Sequence, residues 1–229
     1  MPVGRVLSGR ERVAYRATMP GVSNANRAAL YDCQGYTAAL AILGDTNLFQ
    51  APLGAAGVFN GAAIVKTLLQ TNLRTPGQLP AGQELSCWDI RVQADVNLYN
   101  SETTATILTN AVRAVHDYLM GSFMVVQMDG KVILEISPLA ILSAGYGPQA
   151  SGYGSANITA GAAAGGGALL LTNGSPNRSG LWNLSPIPLM FTAGHVFQVT
   201  ITTPITVTLP ANTSMNVWVH LDGVLNRAA

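Results

Sequence analysis

Charge is what this sequence has least of. Only 10 % of its 229 residues are Asp, Glu, Lys or Arg, against about 25 % in ordinary soluble domains. Apolar residues make up an ordinary 48 %. The missing charge has therefore gone to Gly, Ala, Ser, Thr and Asn, which excludes the highly charged, apolar-poor composition of a disordered chain. No apolar run reaches the roughly 18 residues that a spanning helix needs. The first residues, MPVGRVLSGRERVAYR, have no apolar core after their charges, so no secretion signal is expected. Cysteine is nearly absent too. Cys33 and Cys87 lack C-x-x-C spacing, which excludes a disulfide framework and a zinc knuckle by count and predicts buried, reduced thiols.

The usual signatures of catalysis are missing as well. His116, His195 and His220 have no second histidine or carboxylate at ligand spacing, and each reads as a structural histidine. No G-x-S-x-G elbow occurs. The glycine run at 161–167 has no phosphate-loop lysine and follows no strand, and the eleven acids are scattered singly. The expectation is a protein that is not an enzyme, with no catalytic residue, cofactor or metal.

Lysine appears only as Lys66 and Lys131, beside ten arginines. Interfaces deplete lysine and favour arginine, although high-GC coding would also favour Arg, Gly and Ala. The net charge of +1 leaves a free monomer poorly protected against self-association. Both features fit a subunit of something larger. The charge is also asymmetric. Arg5, Arg10, Arg12, Arg16 and Arg27 face one acid, Glu11, so residues 1–27 carry +4 and the remainder −3. Such a head reads as an arm that touches nucleic acid or an anionic surface, as a solvated tail, or as an arm docked on a neighbouring subunit.

At 23.9 kDa the default is one domain, able to bury roughly 70–75 % of its unfolded surface without a staple. Residues 1–66 are punctuated by glycine and read as an irregular N-terminal arm or extension. Residues 67–229 read as a β-sandwich domain. Within it Gln83–Val96 is expected as a long strand of mixed burial. Ser101 and Glu102 cap a helix over about 102–120, in which Ile107, Leu108, Ala111, Val112, Val115 and Leu119 recur at helical spacing and Gly121 follows. Phe123–Met128 and Lys131–Ile136 flank Asp129-Gly130, a strong hairpin signal. Residues 143–180 form a long Gly/Ala-rich loop with little to bury. Beyond Pro186-Ile-Pro188, period-two runs occupy 197–202, 205–209 and 217–221, separated at Pro204 and at Pro210–Ser214. Short alternating runs at this spacing mark an antiparallel sandwich or barrel.

Five N-x-S/T sequons, at Asn157, Asn173, Asn177, Asn183 and Asn212, read as by-products of Asn/Ser/Thr-rich loops. Trp182, Trp218, Tyr146 and Tyr153 could stack on sugars as in a carbohydrate-binding module, although Trp218 reads as packing in its alternating strand.

The C-terminal third carries a resemblance. Leu184-Ser-Pro-Ile-Pro-Leu-Met-Phe191, Ala193-Gly-His-Val-Phe-Gln-Val-Thr-Ile201 and Val217-Trp-Val-His-Leu-Asp-Gly-Val-Leu-Asn-Arg227 together resemble jelly-roll coat proteins of bacteriophages, in particular those of small tailless phages. The resemblance covers about 40 residues, and the chain is too short for a double jelly roll; a single roll of about eight strands plus an arm fits. It implies a capsid subunit that self-assembles into an icosahedral shell, assembled in the host cytoplasm and resident in the virion. The implied partners are further copies of the chain in capsomer and shell contacts, other capsid proteins, and packaged nucleic acid or an internal membrane reached by the basic arm. The alternative is a glycan-binding sandwich in a phage decoration, vertex or receptor-binding protein.

Overall fold

The computed structural model describes residues 26–38, 41–98, 105–138, 149–153, 168–172, 182–183, 187–211 and 213–227. In chain order the elements are β1 (Asn26–Thr37), β2 (Ile42–Leu48), β3 (Ala56–Phe59), β4 (Ala62–Val65), β5 (Gln83–Leu98), α1 (Ala105–Gly121), β6 (Phe123–Met128), β7 (Lys131–Ile136), β8 (Gln149–Tyr153), β9 (Ala168–Thr172), β10 (Trp182–Asn183), β11 (Leu189–Thr192), β12 (Phe197–Val207) and β13 (Thr213–Arg227). Eight of them build two packed antiparallel sheets, β1-β13-β5-β11 and β2-β12-β6-β7, with the two-residue β10 also on β5.

The pairing is nested. Counting β1, β2, β5, β6, β7, β11, β12 and β13 as first to eighth, the first pairs with the last, the second with the seventh, the third with the sixth and the fourth with the fifth. A long antiparallel ribbon has that order, and here it is rolled so that β13 also meets β5 and β12 meets β6. This is the single jelly roll. The fold class is therefore a mainly β, antiparallel sandwich with, among the described residues, one inserted helix, as the alternating runs imply.

The core lies between the sheets. Ile90, Val92, Val217, Val219 and Leu221 from one face Met124, Val126, Phe197, Val199 and Ile201 from the other, and all are buried. Helix α1 bridges β5 and β6 and packs Ala114, Val115, Tyr118 and Leu119 onto this core. The Tyr118 hydroxyl lies 3.1 Å from that of Tyr36, which in turn donates to Thr46 Oγ1 at 3.0 Å. Full burial pushes the Tyr118 hydroxyl well above its ordinary pKa.

Three boundaries depart from the sequence reading. The arm expected over 1–66 does not extend that far, because β1 and β2 are two of the eight principal strands and β1 pairs with β13 over its whole length. Alternation is weak there: Asp32 and Cys33 are both buried, and Gly35 sits where a Cβ would be 2.4 Å from the Val58 carbonyl oxygen. The stretch 143–180 includes the paired strands β8 and β9; the rest of it lies outside the described residues. The runs on either side of Pro204 form one strand, β12. Pro204 falls in the register break between Thr203 and Val207, beyond the reach of β6, so its missing N–H removes no ladder bond.

The mixed burial of β5 has a local cause. Asp89 pairs with Asp222 and Cys87 with Gly223, which leaves Trp88 as an extra residue. A one-residue bulge moves the inward face from odd to even positions. Leu85 and Cys87 point in before it, and Ile90, Val92 and Ala94 after it. The Asp129-Gly130 turn has φ of +49° and +74°, the left-handed pair that a two-residue type I′ turn needs.

Candidate assembly surface

Self-assembly requires a face that is exposed, apolar and held in one shape, and the edges of the sheets decide where that face can be. An open strand edge is a template for pairing with another chain. The edge of β1 is already occupied by the 66–73 segment. Tyr31 N–H donates to Asn72 Oδ1 at 3.0 Å, Asn72 N–H donates to the Tyr31 carbonyl at 3.3 Å, and Asn72 Nδ2 donates to the Ala29 carbonyl at 2.6 Å. The opposite edge carries only short strands, the four residues of β11 and two of β10. In the second sheet, β7 carries Lys131 and Glu135 and a bulge that leaves Ile133 unpaired, and β2 carries Asp45 beside Gly44 at φ +82°. Each edge of the two principal sheets is thus blunted against strand addition, which favours contacts between copies through faces and loops.

The 66–73 segment is anchored from below. Lys66 Nζ lies 2.6 Å from Asp32 Oδ1, with both side chains buried, and Asp32 Oδ2 accepts from the Phe49 N–H at 2.6 Å. Burial raises the Asp32 pKa, while Lys66 and the backbone donors of Phe49 and Cys33 oppose the rise. The Lys66 main chain is bonded on both sides, to Ala55 and Gly54 at 2.8 and 2.9 Å. Gln70 Oε1 accepts from the Thr67 N–H and hydroxyl, and the Tyr31 hydroxyl donates to the Leu68 carbonyl. On this fixed backbone stand Val65, Leu68 and Leu69, exposed by 64, 57 and 63 %.

Beside that ridge runs a groove of about 340 Å³ on the outer face of the first sheet, lined by Tyr31, Leu68, Leu69, Gln93, Trp218 and His220. Register places these residues: Tyr31 lies opposite His220 and Gln93 opposite Trp218. Phe59 of β3 meets the Trp218 ring edge-on at 5.8 Å. Burial, helped by the neighbouring Arg91, pushes His220 down to about 4, so its imidazole is neutral at pH 7. Arg91 itself is held by Asp222, 2.8 Å from its Nε.

Of the residues singled out in the sequence, Arg5, Arg10, Arg12 and Arg16 lie outside the described residues, as does Tyr146. Arg27 lies within β1 opposite Val224, in a sheet strand. Trp182 is in β10, in the same sheet as Trp218 of β13 with β5 between them, and Tyr153 is in β8, which pairs with β9 in a separate two-stranded sheet. Both cysteines are free and buried as expected; burial pushes the Cys33 thiol up to about 12 and Cys87 higher still.

Among the histidines, His195 finds a carboxylate from far along the chain: Asp129 in the β6–β7 turn lies 2.5 Å from its Nδ1 and also accepts from the Val196 N–H. That hydrogen bond holds the Asp129 carboxyl below its ordinary pKa. Sequence reasoning missed the Asp32–Lys66 pair and the Leu68–Leu69 ridge; the one available signal for the pair was that Lys66 is one of only two lysines. Among the described residues no group of three His, Cys, Asp or Glu side chains could hold a metal, and no helix is long and apolar enough to cross a membrane. No protein-family model, curated protein or solved structure matches this chain.

Proposed function

We propose that this protein is a capsid subunit that self-assembles into an icosahedral shell and resides in the virion of a bacteriophage. The observation that carries the reading is the nested eight-strand roll with the edges of both its sheets blunted, joined to a chain of very low charge. Jelly rolls serve as viral coats and as lectins, and fold alone does not choose between them. A coat subunit needs neutral, desolvatable flanks and must not grow by edge-to-edge strand addition. The net charge of +1 and the 10 % charged content meet the first need, and the Asn72 cap, the short β10 and β11 and the bulged, charged β7 meet the second. Many individually weak contacts then act together once a closed arrangement forms. The basic head, from Arg5 to Arg16, would face packaged nucleic acid or an internal membrane, while Arg27 belongs to β1.

The test is the size of the purified protein, by light scattering and negative-stain microscopy across salt and concentration. Closed particles or discrete capsomers are expected, and a monomer that persists at high concentration overturns the reading. The alternative, a glycan-binding module of a decoration, vertex or receptor-binding protein, is favoured by one observation: Trp218 and Tyr31 line an open groove. A glycan array that returns a specific ligand would establish it.

A further inference from the structure

We propose that the Val65–Leu69 ridge and the groove beside it form a two-fold contact between two copies of this chain. The inference rests on the assembly reading above and names the surface that reading needs.

The argument begins with adjacency. Leu68 and Leu69 are the exposed ridge and are also one wall of the groove. A ridge that borders its own socket is complementary to itself. Rotating a second copy by a half-turn seats its ridge in the first groove and the first ridge in its groove, which is the isologous geometry of a two-fold interface. Charge allows it: Tyr31, Leu68, Leu69, Gln93, Trp218 and His220 are all uncharged at pH 7, with His220 kept neutral by its setting. The six lining residues therefore bring no like charges together against a second copy, and the neighbouring Arg91, 3.4 Å from His220 Nδ1, is already paired with Asp222.

Preorganisation favours it as well. The ridge backbone is pinned by the buried Lys66–Asp32 pair and by the Asn72 and Tyr31 hydrogen bonds, so little loop entropy is lost on docking. An aromatic floor under aliphatic anchors, with Trp218 and Tyr31 among its members, has the composition of an interface centre.

The experiment compares the full-length wild type with Leu69→Glu and with Val132→Glu, a control on the exposed part of β7. Assembly is followed by light scattering and sedimentation, and folding by thermal melting. Both sites are exposed, so all three proteins are expected to melt alike. Leu69→Glu is expected to weaken association by about 100-fold or more, because a two-fold contact loses both seats at once. Val132→Glu is expected to assemble as the wild type does. If Leu69→Glu assembles like the wild type, the ridge is not an interface and this proposal falls, while the coat reading stands. The proposal also falls if Val132→Glu dissociates as readily. A wild type that remains monomeric overturns both, and if it then binds a glycan through Leu69 and Trp218, the groove is a sugar site.

Discussion

Replacing Lys66 with methionine keeps most of the aliphatic stem that covers Gly57 and removes only the charge. Asp32 would then be a carboxylate 1 % exposed, with the Phe49 and Cys33 N–H groups as partners but no cation. Removing one member of a buried pair typically destabilises by about 3–5 kcal/mol, because the other is left charged and desolvated. At about 2–4 °C per kcal/mol for a chain of this size, the melting temperature should fall by about 6–20 °C. The pH dependence provides a second, sharper readout. Burial already raises the Asp32 pKa and Lys66 is the main opposing influence, so losing Lys66 moves the folded carboxyl further up, and the folded variant holds a proton at pH values where the unfolded chain has released it. A folded state that binds more protons than the unfolded state loses stability as pH rises. The gap between variant and wild type should therefore narrow on acidification from pH 8 to pH 5 and widen on return. Asp32→Leu combined with Lys66→Met should recover only part of the loss, since the Phe49 N–H, on a residue at φ +64°, then has no acceptor. Denaturant titration at several pH values measures all of this. A Lys66→Met loss below about 1 kcal/mol, the range of solvent-screened pairs, with no pH dependence would refute the picture of a buried ionic anchor beneath the ridge.

Gly223→Ala places a Cβ 2.1 Å from the Ser86 carbonyl oxygen at the β5 bulge. Because the obstacle is backbone, a loss toward the upper end of about 1–3 kcal/mol is expected in urea denaturation. His220, held down to about 4, should show no imidazole titration by NMR between pH 7 and 5. Because the unfolded histidine protonates near 6.5, its contribution to stability should be full above that pH and decline as pH falls toward 4; His220→Gln should remove this component. Neither Cys33 nor Cys87 should react with a thiol reagent at pH 8 in the native protein, and both should react promptly in denaturant; rapid native labelling would contradict their burial.

Legibility in the sequence followed the range of each interaction. The helix, the β6–β7 hairpin and the late strands were readable because a 3.6-residue period, an Asp-Gly turn and a two-residue period are properties of neighbouring residues. The β5 strand was readable in extent but not in facing, because a bulge is fixed by the partner strand and by Gly223, whose missing side chain leaves room for the Ser86 carbonyl. The ridge was invisible for a related reason: Val65, Leu68 and Leu69 look like candidates for burial until the fold shows that Lys66, the polar residue between them, is the one that turns inward.

By itself, then, the sequence determined the class of the molecule: an antiparallel β protein of low charge with buried thiols and one amphipathic helix. These follow from composition and local period, which each stretch of chain carries whatever surrounds it. Tertiary structure decided that β1 belongs to the sheet, that the strands nest from first-with-last inward, and that Asp32 and Lys66 meet as a buried pair. Asn26 meets Leu225 and Asp32 meets Lys66 only because the ribbon rolls; such pairings are selected by the total area buried when both sheets close, and no single segment records them.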